Sequence, residues 1–177
     1  MPRATIARIN LDSLRHNYLK AAALSGGARA MAVIKADGYG HGIRDVARGL
    51  EDVAPKFAVA CIEEALAIRE AGVATPVALL QGPHSEEDLV TSAREHFEPV
   101  IHSEHQLQWL REAKSVPALW IKVNTGMNRL GFAPEQLAEV MAFLSAAELS
   151  ENVTGFVTHF ACADDAKSDN TARQTEC

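Results

Sequence analysis

Lys35 is the side chain of this sequence best placed to act as a nucleophile. Small and β-branched residues run through Ala32-Val33-Ile34 and lead straight into this lone lysine. Gly38, Gly40 and Gly42 then alternate with Tyr39 and His41. Such a run reads as a strand that delivers an amine into a loop built for close backbone approach. Burial at a strand end strips water from the amine and favours its neutral, nucleophilic form. That is what a Schiff-base lysine requires. The plainer reading is a solvated strand end followed by a turn, and the residues of the segment leave both open. Phosphate-loop readings fail: G-x-x-x-x-G-K-[ST] is absent, and Gly38-x-Gly40-x-Gly42 lacks the dinucleotide spacing.

Two other places hold residues with chemical potential. Trp120, Lys122 and Asn124 alternate along a second apolar run, with Arg129 just beyond a Thr125-Gly126-Met127 turn. His159 closes a third run. By themselves an arginine after a turn reads as a surface residue and a histidine after a strand as a hydrogen-bonded core residue.

These residues need a scaffold. Strands are expected at 6–11, 30–35, 57–61, 76–81, 99–102, 118–124 and 153–159. Helices are expected at 12–24, capped by Asp12 or Ser13, and at 43–50, 62–71 and 135–147. Ser85-Glu86-Glu87-Asp88 and Ser103-Glu104-His105-Gln106 read as two capping boxes. The second opens a helix carrying Leu107, Leu110 and Ala113 or Lys114. Residues 163–177 are polar and are expected to be poorly ordered. After the first helix, six βα steps follow with short connections, which implies an α/β fold with a parallel sheet. An open doubly wound sheet and a (β/α)8 TIM-type barrel both fit. The barrel is preferred because the chemical residues sit at the C-terminal ends of strands. A whole barrel takes about 250 residues and eight strands, so an incomplete one of about six units is expected, in a single domain spanning 1–177.

Composition narrows the function. The chain has 177 residues, 47% hydrophobic and 23% charged, with a net charge of -6. A net negative charge with scattered basic residues argues against nucleic acid and anionic membranes as partners. No apolar run reaches membrane-spanning length, and residues 1–10 lack the apolar core of a secretory signal. Cys61, Cys162 and Cys177 are odd in number and far apart, and fit neither a disulfide framework nor a zinc site. They read as two buried thiols and one tail thiol in a reducing cytoplasm.

Residues 32–42, Ala-Val-Ile-Lys-Ala-Asp-Gly-Tyr-Gly-His-Gly, resemble the pyridoxal 5'-phosphate (PLP) attachment motif of alanine racemases. Residues 121–132, Ile-Lys-Val-Asn-Thr-Gly-Met-Asn-Arg-Leu-Gly-Phe, resemble a second signature of that family, and residues 158–164, Thr-His-Phe-Ala-Cys-Ala-Asp, a third. The resemblance implies a PLP-binding barrel followed in the family by a β-rich domain, and interconversion of L- and D-alanine by a homodimer, supplying peptidoglycan. It implies that Lys35 forms the Schiff base with PLP and serves as base on one face of the substrate Cα. It implies further that Tyr39 contacts the cofactor phosphate, that Arg129 pairs with its phenolic oxygen and lies near the substrate carboxylate, and that His159 lies near the pyridine ring. Lys122 is implied to be carbamylated, becoming an anion that holds Arg129. Many relatives carry Asp where this chain has Asn124, which leaves the local charge balance open. No metal is expected. The family's opposite-face base is a tyrosine of the later domain, and neither Tyr18 nor Tyr39 stands at its place, so residues 1–177 alone are expected to have little racemase activity. A single-domain PLP-homeostasis barrel, which lacks the Asp-Gly-Tyr-Gly-His-Gly loop, and a non-catalytic fragment are the rival readings.

Overall fold

The computed structural model describes residues 6–177. Residues 1–5, which carry half of the segment read above for a secretory signal, lie outside the described residues. The chain divides into two compact units, residues 1–77 and 78–177.

The first unit holds helix α1 (Leu11–Ala23), strand β1 (Ala32–Val33), a single turn α2 (Lys35–Gly40), helix α3 (Ile43–Leu50), strand β2 (Phe57–Val59) and helix α4 (Ile62–Glu70). Strands β1 and β2 run parallel, Ala32 opposite Phe57 and Val33 opposite Ala58. Parallel neighbours need a crossover, and the α2–α3 segment supplies it. Helix α3 buries Ile43, Val46, Ala47 and Leu50, the i, i+3, i+4, i+7 stripe of an amphipathic helix. Phe57, Ala58 and Val59 of β2 are wholly buried. The expected strand at 6–11 is absent: residues 6–10 are irregular and helix α1 starts at Leu11. Its cap is Asn10, whose side chain accepts from the Ser13 N–H at 2.9 Å, in place of Asp12 or Ser13.

Strand β3 (Val77–Leu79) begins at the last residue of the first unit. The second unit continues with helix α5 (Glu86–Glu95), strand β4 (Phe97–Ile101), helix α6 (Glu104–Glu112), strand β5 (Leu119–Lys122), a 3-10 turn (Pro134–Gln136), helix α7 (Leu137–Ala146), strand β6 (Val153–Val157) and helix α8 (Asn170–Glu176). Strand β5 pairs in parallel with β4, Ile101 opposite Ile121, and with β6, Ile121 opposite Phe156. Leu89, Ile101, Leu107, Leu110, Leu119, Ile121, Phe132, Val140 and Leu144 form its core.

The Ser85 box exists in altered form. Ser85 Oγ accepts from the Asp88 N–H at 3.2 Å, and Asp88 reaches back one residue further, to His84 N–H, at 2.8 Å. The second box does not form. Ser103 makes no capping bond, because Gln106, only 4% exposed, turns inward to accept from His102 N–H and to donate to Pro83 O. The strands are shorter than expected, two to five residues, since strand ladders end where the chain turns out of the sheet. The polar tail is ordered rather than loose. Helix α8 buries Gln174, a polar side chain whose hydrogen bonds all lie far away in sequence, so composition misread it. Cys61 and Cys162 are half-buried rather than buried, and all three thiols are free.

Candidate active site

The Ile34 N–H donates to Ala58 O at 2.9 Å, the last bond of the β1 edge before Lys35. Burial alternates along the strand: Ala32 and Ile34 are buried, while Val33, on the Lys35 side, is 42% exposed. Lys35 is half-buried, and it opens a turn where the sequence reading had it end a strand. That turn is left-handed: Ala36, Asp37, Gly38 and Tyr39 have φ of 52°, 53°, 63° and 54°.

A left-handed helical conformation costs an L-residue about 1–2 kcal/mol, and only one of the four is glycine. Local bonds offset part of this. Gly38 N–H donates to Ile34 O at 3.0 Å and Gly42 N–H to Asp37 O at 2.9 Å. Asp37 Oδ1 accepts from Ile43 N–H at 2.8 Å, capping the start of α3. Gly38 is required by space as well as by φ, because a Cβ there would lie 3.1 Å from Val46 Cγ2. Glu64, from the first turn of α4, accepts from Ala36 N–H at 2.5 Å. His41 Nδ1 lies 2.9 Å from Gly38 O, so its ring folds back on the loop. Tyr39 projects outward, 60% exposed.

In the second unit, β5 ends in Lys122, which is 7% exposed. The chain then folds back on itself. Phe132 N–H donates to Lys122 O at 2.9 Å and Asn124 N–H to Phe132 O at 2.8 Å. Gly131 makes this return possible, since at φ 118° a Cβ would sit 2.9 Å from Asn124 N and 3.0 Å from Lys122 O. Asn124 organises the loop between. Its Oδ1 accepts from Gly126 and Asn128 N–H at 3.2 and 2.9 Å, and its Nδ2 donates to Asn128 Oδ1 at 3.1 Å. An aspartate could accept both backbone bonds but could not make the last one.

Arg129 leaves this loop exposed, yet close enough to act on Lys122. Burial, and then the Arg129 charge, hold the Lys122 amine below the usual lysine range. Neither side chain appears among the ion pairs of the described residues. Two adjacent cations without a carboxylate partner make a site fitted to an anion, such as a phosphate, a phenolate or a carbamate.

Thr125 and Thr158 share a hydrogen bond of 2.7 Å, which joins the loop to the end of β6. Gln174 stitches the same place, donating to Thr125 Oγ1 at 3.1 Å and to His159 O at 2.9 Å, and accepting from Ala161 N–H at 2.9 Å. The His159 ring itself is exposed. The structure thus groups Lys122 with Arg129, ties His159 to the Thr125 loop through Gln174, and sets Lys35 and Tyr39 on one turn. Sequence reasoning missed Glu64, Gln174 and the loop-building role of Asn124. Only Asn124, an Asx residue before a glycine turn, carried a local signal.

A family model described as "Alanine racemase, N-terminal domain" matches residues 9–177. The chain belongs to the alanine racemase family. An alanine racemase of Marinobacter nauticus is 60% identical over 175 residues, which cover 99% of this chain and 49% of the relative. One of Dichelobacter nodosus is 42% identical, again over 99% of this chain and 49% of the relative. Among solved structures, the biosynthetic alanine racemase of Pseudomonas aeruginosa has a TM-score of 0.86 at 34% identity, covering 94% of this chain and 47% of its own. The chain therefore spans about half the length of the alanine racemases it matches. Its fold class is that of the family's N-terminal domain, an α/β barrel of the (β/α)8 type, of which the described residues carry six strands. This decides against the PLP-homeostasis barrel. No helix among the described residues is long and apolar enough to cross a membrane.

Proposed function

We propose that this chain is the cofactor-binding half of an alanine racemase that interconverts L- and D-alanine and supplies D-alanine to peptidoglycan. The observation that carries the reading is the amine of Lys35 at the mouth of a strained left-handed turn, in a chain 60% identical to a named alanine racemase. Strain of this kind concentrates at functional sites. The cofactor is PLP, which when bound withdraws electrons from the substrate Cα and makes its proton acidic. Lys35 would hold the cofactor and move that proton on one face, Tyr39 would donate to the phosphate, Arg129 would bind the phenolic oxygen and the substrate carboxylate, and His159 would contact the pyridine ring. The opposite-face base is assigned to the half of the relatives that this chain does not cover. Tyr18 is a poor candidate, since its hydroxyl donates to Ala30 O at 2.8 Å and burial pushes its ionisation up. A cytoplasmic homodimer is the proposed working form.

The test is reduction with borohydride in the presence of PLP, followed by peptide mapping. The pyridoxyl label is expected on Lys35. A label elsewhere, or none at saturating PLP, counts against the reading. In the same preparation, residues 1–177 alone are expected to racemise alanine little or not at all.

The charge pattern at Lys122 supports a second part of the reading, its carbamylation. A neutral amine is the form that adds carbon dioxide, and its lowered proton affinity raises the neutral share above that of an ordinary lysine. The resulting carbamate replaces the repulsion from Arg129 with attraction. With carbon-13 bicarbonate, a carbamate NMR signal is expected that Lys122→Ala removes. A signal surviving in that variant, or no signal in the native protein, would sink the assignment.

A further inference from the structure

We infer that Glu64 is a positioning residue for Lys35, acting as a clamp that holds the strained turn in its left-handed form. The inference rests on the reading of Lys35 as the PLP lysine. Glu64 is the third residue of α4, after Cys61 as N-cap. A glutamate there ordinarily reaches back to the N-cap N–H of its own helix. This one does not. Its Oε2 accepts from Ala60 N–H, at the end of β2, at 2.8 Å. Its Oε1 spans 28 residues to accept from Ala36 N–H at 2.5 Å, with Asp37 N–H further off at 3.4 Å. One carboxylate thus bridges the residue after Lys35 and the strand beside it.

The donors it binds are the ones the turn exposes. Ala36 and Asp37 are the first two left-handed residues, and neither is glycine. A right-handed backbone at Ala36 would turn its N–H away from Glu64 and re-aim the residue before it. Bonds from a carboxylate to backbone N–H groups are charge-assisted and among the stronger ones available. The turn's own bonds, Gly38 to Ile34 and Gly42 to Asp37, span the segment but leave the Ala36 N–H to Glu64. Glutamine cannot replace it, because one acceptor becomes an NH2 group that faces a backbone donor.

The experiment compares Glu64→Gln, Ala36→Gly and the double variant with the native chain. Two readouts are used: amide hydrogen exchange at Ala36, Asp37 and Ala60 without cofactor, and the PLP concentration giving half-maximal borohydride trapping on Lys35. Glu64→Gln is expected to speed exchange and raise the half-maximal PLP concentration, each by about tenfold, the scale of one such bond left unmade. Ala36→Gly removes the steric cost of the left-handed state and is expected to recover most of the trapping. A residue serving only the stability of α4 would show no such rescue. Unchanged trapping in Glu64→Gln, or a loss that Ala36→Gly does not recover, overturns the clamp. If Glu64→Gln does not fold, recovery of folding by Ala36→Gly supports the clamp and failure to recover overturns it. If the native chain takes no label on Lys35, the reading of Lys35 fails separately, and exchange alone then decides the clamp.

Discussion

Lys35→Ala in the whole racemase is expected to remove the covalent pyridoxyl adduct and to cut alanine racemisation by roughly 10²- to 10⁴-fold or more. The lower figures are the usual contribution of one general acid–base group, and Lys35 is also assigned the covalent hold on the cofactor. Lys122, 7% exposed at the end of β5, is assigned a separate role beside Arg129. The substitution should leave the fold intact, because Lys35 is half-buried and the bonds that hold its turn come from the backbone and from Asp37 and Glu64. Activity, mass mapping and thermal melting are therefore read together. Turnover within tenfold of the native enzyme, with the fold preserved, would mean another amine does this work.

Gly82→Ala is expected to destabilise the second unit by about 3 kcal/mol or more, the upper range of overpacking in a close-packed interior. Gly82 has φ of 68°, and a Cβ there would sit 2.4 Å from Val100 O and 2.7 Å from Gln106 Nε2. Neither neighbour can give way cheaply. Val100 is a buried residue of β4 paired with Trp120, and Gln106 is held by His102 N–H at 2.9 Å and Pro83 O at 3.0 Å. Gly26→Ala is the control. Its φ is 64°, yet nothing lies within 4 Å of the added carbon. That variant should pay the backbone strain alone, about 1 kcal/mol. Thermal melting of both variants measures the difference. Equal losses would show that the contact with Val100 is relieved at no cost.

The legible parts of this chain were those that neighbours in sequence decide. Val46, Ala47 and Leu50 fall on one helical stripe and bury one face of α3. Ser85 caps its helix because its hydroxyl and the Asp88 N–H lie three residues apart. Glycine-rich motifs identified the family, since they record backbone shapes that few residues adopt. Local pattern failed wherever a distant partner outbid a near one. Ser103 lost its box because Gln106 finds Pro83 O, 23 residues away. The tail was misread because Gln174 finds Thr125, at a separation of 49 residues. The Lys35 segment carries both lessons. Its residue types announced an amine and a glycine loop, but nothing in Ala-Asp-Gly-Tyr requires four successive left-handed residues. That conformation is unfavourable for the segment alone, and it is selected where the fold brings Glu64 to the Ala36 N–H and the Asp37 carboxylate to α3. Sequence determined which groups could do the chemistry; tertiary contact decided the backbone that aims them, because local bonds offset only part of the steric cost of that shape.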